Sequence, residues 1–572
     1  IKRFIDITHE RYAYYIGEYF GNTVKGMFTD EIGFLGKLPW SPKLPEYFKE
    51  TKGYPLTDSL EALLMNDKKD KARVRYDYFQ SLHILLRESY HKQVHDWCEE
   101  HGLQYVAEVP SMRMTTQLYS HVPGGDSAHE KLGRTLDWVL SNCLANYRSN
   151  PKMVSSLAHQ LGRERALIEC FHSVGWSMTL QDAKWMIDRL AVLGVNFFNF
   201  HAFFYTLNGM VKHDAPPSQF LQNPYWQFFR KLGDYVGRIS YALSRGKAES
   251  AVAMLDPVTS FWAHMGNPLH GFTYSGMDEK EAQELEQLKE DWLNLSKSLL
   301  YHQIDYDHLD PELLMTAEVS DGAIRIGDAT YRVLILPPMT NLEGKAWEKI
   351  KAFIESGGTV IANKLLPGET IEEDGMNQAE VLKTFGFKNG DHYEEFNAIN
   401  DEEAWLKGEQ QAYFIPNTKG SFEYERLIDL LGGLLEPAIK LTTSQDNKSI
   451  LMYQRTLDED HLVFVTNQEE NPQHTVLSIN DAQVVQCYEL SLETGEATAL
   501  ECQPSEKGWE LHLHLSPYQS RLIHVVKDKE TSIYETISRV TEELKVDITG
   551  EWELLASQNN VLRMDHFAMQ LP

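Results

Sequence analysis

The sequence predicts an α/β protein that ends in an all-β segment. Two observations lead to this class: short apolar runs alternate with helical patterns through most of the chain, and closely spaced alternating strands replace them from about residue 440. With 572 residues the chain is too long for one ordinary domain. We expect four segments, with boundaries at 1–245, 246–435, 436–528 and 529–572.

The first segment, 1–245, carries short apolar runs bounded by turn residues. These runs are 24–29, 103–109, 152–158, 166–171 and 195–200. Runs of this kind are typical of strands buried on both faces of a parallel sheet. The pattern predicts strands 4–8 of a (β/α)8 barrel, so we expect the chain to be a fragment that begins before the fourth strand.

Helical patterns separate these runs. Apolar or aromatic residues recur at four-residue steps from Leu82 to Cys98, and the pattern ends at Gly102. A second helix is predicted to begin at Thr179, with Asp182 in the capping-box position, and to end at Gly194.

The second segment, 246–435, predicts a smaller flavodoxin-like α/β domain. Strands are expected at 251–257, 331–339 and 359–363, and a long acidic helix at 278–300. The segment has no GxGxxG or P-loop pattern, which argues against a nucleotide site. Asp305 and Asp307 are expected in a solvated loop.

The third segment, 436–528, alternates apolar and polar residues with the spacing of a β-sandwich. Residues 529–572 are expected to begin a further β domain and to leave it incomplete.

Charge and cysteine content restrict the partners and the compartment. The net charge of −29 argues against nucleic acid or an anionic membrane surface as partners, and leaves neutral ligands such as carbohydrate. The 5 cysteines form no CxxC pair, and no run reaches the length of a membrane span. We expect a cytoplasmic protein with reduced cysteines; the oligomeric state is not predicted.

Carboxylates follow three of the predicted strands. Asp30 and Glu31 end the first, Glu108 the second, and Glu169 lies within the fourth. The carboxyl ends of barrel strands carry the active site. Paired acids at that edge suit glycoside hydrolysis, in which one acid protonates the leaving oxygen and the other activates water or attacks the anomeric carbon.

Candidate sugar-binding residues lie beside these acids. They are Asp30, His172, Trp176, His201, Phe204 and Tyr205. Aromatic faces and a few polar groups are the usual means of holding a small polar ligand.

Structural interpretations of the acids remain open. Asp30 and Glu31 could stabilise a helix N-terminus, and Glu108 could anchor the loop that follows it. For Glu169 a functional role is favoured over a structural one, because a carboxylate on an apolar strand is costly unless it is paired or faces a polar cavity.

The spacing of histidines and serines along the sequence argues against a histidine-bound metal and against a serine nucleophile. The histidines show no HExxH or His-x-His pattern, so we expect no metal ligands among them. A GxSxG motif is also absent.

Four stretches resemble glycoside hydrolase family 106 and its uncharacterised relatives. They are GMFTDEIGF at 26–34, the run from ALIECF to FFYT at 166–206, KHDAPPSQFLQNPYW at 212–226 and AMLDPVTSFW at 253–262. Characterised members of that family are α-L-rhamnosidases with a β/α barrel and appended β-sandwich domains. The second segment is also similar to the domain that follows the barrel in some β-galactosidases.

The resemblance implies an inverting mechanism with two glutamates, cleavage of terminal α-L-rhamnose, and a bound calcium ion as a candidate. Glu31 in FTDE corresponds to the general acid, and Glu169 in LIECF to the second carboxylate. Glu108 in VAEVP is a third candidate, for the base or for sugar binding, although its surroundings match the family weakly.

We therefore expect an exo-acting glycosidase that removes α-L-rhamnose or a similar deoxyhexose. Two alternatives stay open: a β-galactosidase-like enzyme on the same barrel, and a non-catalytic carbohydrate-binding protein.

Overall fold

A computed structural model describes residues 1–33, 36–127, 130–209, 215–372, 378–387, 405–416, 424–443, 448–484, 486–527 and 550–551. Apart from Gly550 and Glu551, the segment expected at 529–572 lies outside the described residues. None of the helices in the described ranges is both long and apolar enough to cross a membrane.

The first part of the chain alternates parallel strands with helices. Its strands are β1 Gly26–Asp30, β2 Gln104–Glu108, β3 Gly124–Asp126, β4 Leu167–Cys170 and β5 Phe197–Phe200. Its helices are α1 Lys2–Ile7, α2 His9–Ile16, α3 Leu44–Lys52, α4 Leu60–Leu64, α5 Lys71–Leu86, α6 Lys92–Glu100, α7 Leu136–Cys143, α8 Pro151–Gln160, α9 Leu180–Val192 and α10 Phe229–Ser244.

These strands lie side by side in chain order. β1 pairs with β2, β3 with β4 and β4 with β5, always in parallel, and a parallel bridge between Val106 and Val122 joins the two groups. The carboxyl ends of all five described strands therefore meet at one edge.

The strand expected at 152–158 is wrong, because these residues belong to α8. The helix begins at Asn150, whose side chain accepts a hydrogen bond from Met153 N at 3.2 Å, and Pro151 occupies its first turn. An N-cap followed by proline is a helix-start signal that outweighs the apolar run. The third strand is instead the short β3.

The two helices predicted in this part are confirmed. A π-helical segment, Arg87–His91, joins α5 to α6. Helix α6 ends at Glu100 and has His101 as its C-cap, directly before the expected Gly102. Thr179 and Asp182 form the predicted capping box of α9.

The second part contains a sheet with the strand order of flavodoxin-like folds. In this part the strands are β6 Lys247–Ala248, β7 Val252–Leu255, β8 Gly266–Asn267, β9 Thr273–Tyr274, β10 Asp307–Leu309, β11 Glu318–Ser320, β12 Ala323–Ile326, β13 Ala329–Tyr331, β14 Val333–Leu336, β15 Asn341–Leu342, β16 Thr359–Asn363, β17 Glu369–Thr370, β18 Leu406–Lys407 and β19 Ala412–Ile415. β10, β7, β14, β16 and β19 pair in parallel in that spatial order, and β18 adds an antiparallel edge. Numbered along the chain, the parallel strands read 2-1-3-4-5.

Six helices accompany this sheet in the described ranges. They are α11 Val258–Ala263, α12 Glu279–Tyr301, α13 Pro311–Thr316, α14 Gly344–Glu355, α15 Gln378–Thr384 and α16 Tyr424–Leu434. The long helix predicted at 278–300 is confirmed as α12, with Asp278 as its N-cap.

The third part consists of two antiparallel sheets. Its strands are β20 Ile439–Thr443, β21 Ile450–Leu457, β22 Asp460–Asn467, β23 Gln473–Ile479, β24 Gln486–Leu490, β25 Ala497–Leu500, β26 Gln503–Pro504, β27 Trp509–Leu515 and β28 Ser520–Val526. One sheet has the order β20-β23-β27-β26 and the other β25-β24-β28-β22-β21-β6. Alternating burial in β20, β23 and β27 places one apolar face of these strands in the core that the two sheets share.

The first two parts share one continuous apolar core. A buried ion pair also joins them: Arg113 Nη2 lies 2.6 Å from Asp310 Oδ1, and Arg113 Nε donates to Asp310 Oδ2 at 3.1 Å.

The solvated loop expected for Asp305 and Asp307 is wrong. Asp307 is buried, and its Oδ2 accepts from Tyr331 at 2.9 Å and lies 2.6 Å from His159 Nδ1. Lys152, itself buried, donates to Asp305 Oδ1 at 2.6 Å. Lys152 and His159 therefore pair with these acids, a pairing that sequence spacing does not reveal.

Candidate active site

Acidic residues converge at the carboxyl edge of the parallel strands in the first part. Asp30, Glu108 and Asp126 are the last residues of β1, β2 and β3, and Glu169 is the third residue of β4. Asp30 is the register partner of Glu108, and Asp126 is the register partner of Glu169. The strand register thus brings together residues that are far apart in sequence.

Glu108 is the most deeply buried carboxylate of this cluster, with 1 % of its surface exposed. When Glu108 and Asp30 are both ionised, neither side-chain oxygen of Glu108 receives a hydrogen bond. Protonation of one of the two carboxyl groups allows a hydrogen bond between them. Burial, a hydrogen bond shared with Asp30 and the charge of Glu169 raise the pKa of Glu108 well above its usual range.

Glu169 is buried as well, with 8 % exposed. Burial, followed by the charges of Asp126, Asp30 and Glu31, raises the pKa of Glu169 to about 7, while Arg148 lowers it. A carboxyl group with a pKa near neutrality can accept or release a proton at physiological pH.

Glu31 lies at the exposed rim of the cluster. It follows β1 directly, its backbone φ is +45°, and its amide donates to Glu108 O at 2.8 Å. A positive φ is uncommon for a residue with a side chain and occurs often at functional sites. The carboxylate of Glu31 forms an ion pair with Arg148, whose guanidinium also lies 3.6 Å from Asp126.

The aromatic residues predicted to bind sugar form two groups: rings that pack against one another beside β5, and rings that are exposed to solvent. His201 follows β5 directly, and its ring packs against that of His172 with centroids 4.6 Å apart and against Phe204 at 6.0 Å. Trp176 is 40 % exposed and Tyr205 is 89 % exposed.

His201 has an electrostatic link to the carboxylates. Burial lowers the pKa of its imidazole, and the charges of Asp30, Asp126 and Glu31 oppose this. Its Nδ1 is buried and has no hydrogen-bond partner. The ring is therefore a polar group available to a ligand.

Asp30, Glu108 and Glu169 could hold a cation. One carboxylate oxygen from each lies within 4.8 Å of the others. Hard oxygen donors of this kind suit Ca²⁺, and the unpaired oxygens of Glu108 fit such an ion. The residues present are thus compatible with the calcium ion that the sequence resemblance implies.

A second group, His95, Glu99 and His121, lies at the opposite end of β2. His121 Nδ1 accepts the amide hydrogen of Tyr105 at 2.8 Å, so Nε2 carries the ring proton and faces Glu99 Oε1 at 2.5 Å. In this tautomer the ring has no free lone pair, which makes the group a hydrogen-bonded cluster rather than a metal site.

Two residues of the site escape the sequence analysis, Asp126 and Arg148. Asp126 ends β3, whose PGGD sequence lacks the apolar run that marks a buried strand. The feature of the sequence that could indicate this strand is Gly124, because glycine within a strand often marks a close approach of another backbone. In the structure a Cβ at Gly124 would lie 2.2 Å from Ala107 O, so β2 and β3 approach too closely for a side chain. Arg148 lies in a loop and has no sequence signal.

Comparisons with known proteins identify the family of this chain. The family model described as alpha-L-rhamnosidase, Glyco_hydro_106, matches residues 1–482. No curated protein matches the chain.

Solved structures show the same overall fold. A rhamnosidase from Novosphingobium sp. PP1Y aligns with a TM-score of 0.64 at 18% identity, over 93% of this chain and 48% of that one. The chain therefore spans about half the length of that rhamnosidase.

Two β-galactosidase structures are also similar. The E323A mutant of Gan42B, a GH42 beta-galactosidase from G. stearothermophilus, aligns with a TM-score of 0.59 at 13% identity, over 87% of this chain and 77% of that one. The beta-galactosidase from Bacillus circulans sp. alkalophilus aligns with a TM-score of 0.60 at 11% identity, over 91% of this chain and 82% of that one. At these identities the likeness concerns the fold alone.

Proposed function

Because the chain belongs to the α-L-rhamnosidase family glycoside hydrolase 106, we propose that it is an exo-acting glycosidase that removes terminal α-L-rhamnose, or a similar deoxyhexose, from oligo- or polysaccharides. One observation carries the proposal: four strand-end carboxylates and Glu31 converge at one edge of a parallel sheet. Paired carboxylates are what glycoside hydrolysis requires.

The proposed fold of the catalytic part is a β/α barrel. Consecutive parallel strands with helices between them, and acids at their carboxyl ends, support strands 4–8 of such a barrel. The proposed boundaries are 1–245 for this part, 246–435 for the flavodoxin-like domain and 436–528 for the sandwich.

Glu31 is the proposed proton donor. It lies at the open rim, where a leaving group can depart into solvent, and is 51% exposed. Glu31 must separate from Arg148 and take up a proton from solvent before it can protonate the glycosidic oxygen. Asp126, 3.6 Å from the same guanidinium, provides Arg148 with a second anionic partner when that happens.

Glu169 is the proposed general base. A pKa of about 7 allows it to take a proton from water, which then attacks the anomeric carbon from the face opposite the leaving group. An α-linked rhamnoside would therefore yield β-L-rhamnose as its first product.

Asp30, Glu108 and Glu169 are the proposed ligands of a calcium ion. If calcium binds, these carboxylates would hold it, and the ion would supply positive charge for sugar hydroxyls and for neighbouring carboxylates. Glu108 stays a candidate for direct sugar binding.

His201 and His172 are proposed to bind sugar hydroxyls from beside the cluster. Phe204, Trp176 and Tyr205 would provide apolar faces for the ring or its methyl group. Asp30 would accept a hydrogen bond from a sugar hydroxyl in this proposal.

The test is product analysis on a panel of aryl glycosides followed by proton NMR. We expect release of β-L-rhamnose from an aryl α-L-rhamnoside and much slower release of other sugars. Cleavage of a β-galactoside instead would favour the second candidate, which the likeness to β-galactosidases supports only at the level of fold. Binding of rhamnose without turnover would indicate the non-catalytic alternative.

A further inference from the structure

A cavity of about 750 Å³ lies where the three parts of the chain meet. Its wall is formed by the end of α8, by β7, by the segment after α12, by α16 and by strands β20 and β21 of the sandwich. None of the active-site carboxylates lines it. Small-molecule sites commonly have volumes of about 300–1,000 Å³ and often occur between domains.

Asp305 gives this cavity a half-satisfied carboxylate. Its Oδ1 accepts from Lys152 Nζ at 2.6 Å and from the Tyr306 amide at 3.0 Å. Its Oδ2 is buried and has no hydrogen-bond partner. A buried acceptor without a donor costs roughly 1–3 kcal/mol, so the arrangement favours a ligand that donates.

Gln454 on β21 supplies a second acceptor. Its Oε1 is buried and likewise has no partner. Among the described residues that line the cavity, the buried side-chain atoms without a partner are these two oxygens. These two unpaired acceptors favour a ligand that carries hydrogen-bond donors.

Charge and apolar surface define the rest of the ligand. Glu249, Asp328 and Glu436 also line the cavity, and the basic side chains on its wall are Lys440, His159 and His302. The apolar lining includes Ile428, Leu431, Leu435, Ile439, Leu441 and Met452. An acidic, acceptor-rich and partly apolar cavity suits a cation with an apolar body.

We propose that this cavity is a binding site for a small organic ammonium, with the N–H groups directed to Asp305 and Gln454 and the apolar body against α16 and β20. The site is distinct from the carboxylate cluster and does not depend on the rhamnosidase assignment.

Titration calorimetry with three matched probes tests the charge requirement. The probes are 2-phenylethylammonium, 2-phenylethanol and 3-phenylpropionate. We expect the ammonium to bind at least about tenfold more tightly than the alcohol, and the carboxylate not to bind. Equal affinity for all three, no binding of the ammonium, or tighter binding of the alcohol would overturn the proposal.

Variants locate the site. Gln454→Met keeps the size of the side chain and removes the acceptor, and we expect at least about fivefold weaker binding of 2-phenylethylammonium. Asp305→Asn should weaken it by about tenfold or more; if that variant fails to fold, Gln454→Met alone decides. Unchanged affinity in Gln454→Met would overturn the proposal.

Two control variants separate this site from other acids. Asp328→Asn removes a carboxylate that lines the same cavity but is already paired with Lys247 at 3.0 Å, and we expect less than about threefold change. Glu169→Gln should leave ammonium binding unchanged. Loss of binding in Glu169→Gln would mean that the probe occupies the carboxylate cluster, and would also overturn the proposal.

Discussion

Arg148 forms an ion pair with Glu31 and lies 3.6 Å from Asp126, so one guanidinium connects the exposed rim of the site with its buried carboxylates. Glu31 belongs to the segment after β1 and Asp126 to β3, and Arg148 lies in the loop before α8. The position of the proposed acid thus depends on a residue that the strand pattern does not indicate.

Replacing Arg148 should disturb the placement of Glu31 more than substrate binding. We expect Arg148→Met to lower kcat by about 10²-fold with a smaller change in KM, because a misplaced catalytic group costs mainly turnover. Arg148→Lys should recover part of the loss. Arg134→Met is the control, since Arg134 is exposed and stacks on Trp138 away from the cluster. Equal kinetics in Arg148→Met and the control would contradict the role.

Glu31→Gln should lose more activity on a substrate with a poor leaving group, which must be protonated as it departs, than on one with a good leaving group. We expect kcat/KM to fall by about 10³-fold on 4-methoxyphenyl α-L-rhamnoside and far less on the 2,4-dinitrophenyl compound. Glu50→Gln, an exposed glutamate of α3, serves as the matched control. The same large loss on both substrates would argue against a proton donor.

Glu169→Gln should behave differently, because a general base is needed whatever the leaving group. We expect a loss of about 10²–10⁴-fold on both aryl rhamnosides, with an unchanged circular dichroism spectrum. A loss confined to the poor leaving group would instead make Glu169 the acid and exchange the two roles.

Gly124→Ala should destabilise the protein by about 3 kcal/mol or more, because its Cβ would lie 2.2 Å from Ala107 O. Gly233→Ala is the control: this glycine lies within α10 with no atom near the added Cβ, and the change should stabilise by about 0.5–1 kcal/mol. Urea denaturation measures both. Similar stability of the two variants would show that β2 and β3 do not approach so closely.

His91 should make the protein sensitive to acid. It is fully buried between α5 and α6, and burial, followed by the charge of His83, lowers its pKa to about 3. The imidazole is therefore neutral in the folded protein but gains a proton below about 6.5 when unfolded. Its contribution to stability is complete above that pH and is lost as the pH falls towards 3.

Denaturation of His91→Gln at several pH values tests this. Relative to that variant, the wild-type protein should lose about 3 kcal/mol of stability between pH 7 and pH 4. His512→Gln, at an exposed position of β27, should show the wild-type pH dependence. Parallel curves for wild type and His91→Gln would contradict burial of the neutral ring.

Helix periodicity and helix caps are local properties, and the helices that they predict are present in the structure. The local signals that tertiary contacts do not override are Thr179 with Asp182, the apolar face from Leu82 to Cys98, and the helical run at 278–300. Asp30, Glu108 and Glu169 could be grouped because parallel strands align their carboxyl ends. Their catalytic roles stay predictions.

The remaining features depend on contacts between distant residues. β3 is defined by the close approach of Gly124 to Ala107. The apolar run of α8 predicts a strand, but its Asn-Pro start makes it a helix. The partners of Arg148, Asp305 and Asp307 come from other elements, so spacing along the chain contains no trace of them.

The short strand β6 is a member of a sheet that otherwise belongs to the C-terminal sandwich. Arg455 on β21 fastens it by donating to the carbonyls of Arg245 and Gly246, each at 2.7 Å. The sandwich is therefore not an independent module that recombination could exchange at a boundary near residue 436. A homologous sandwich grafted there would have to accept a strand encoded nearly two hundred residues upstream, a requirement that ties the inheritance of the two regions together.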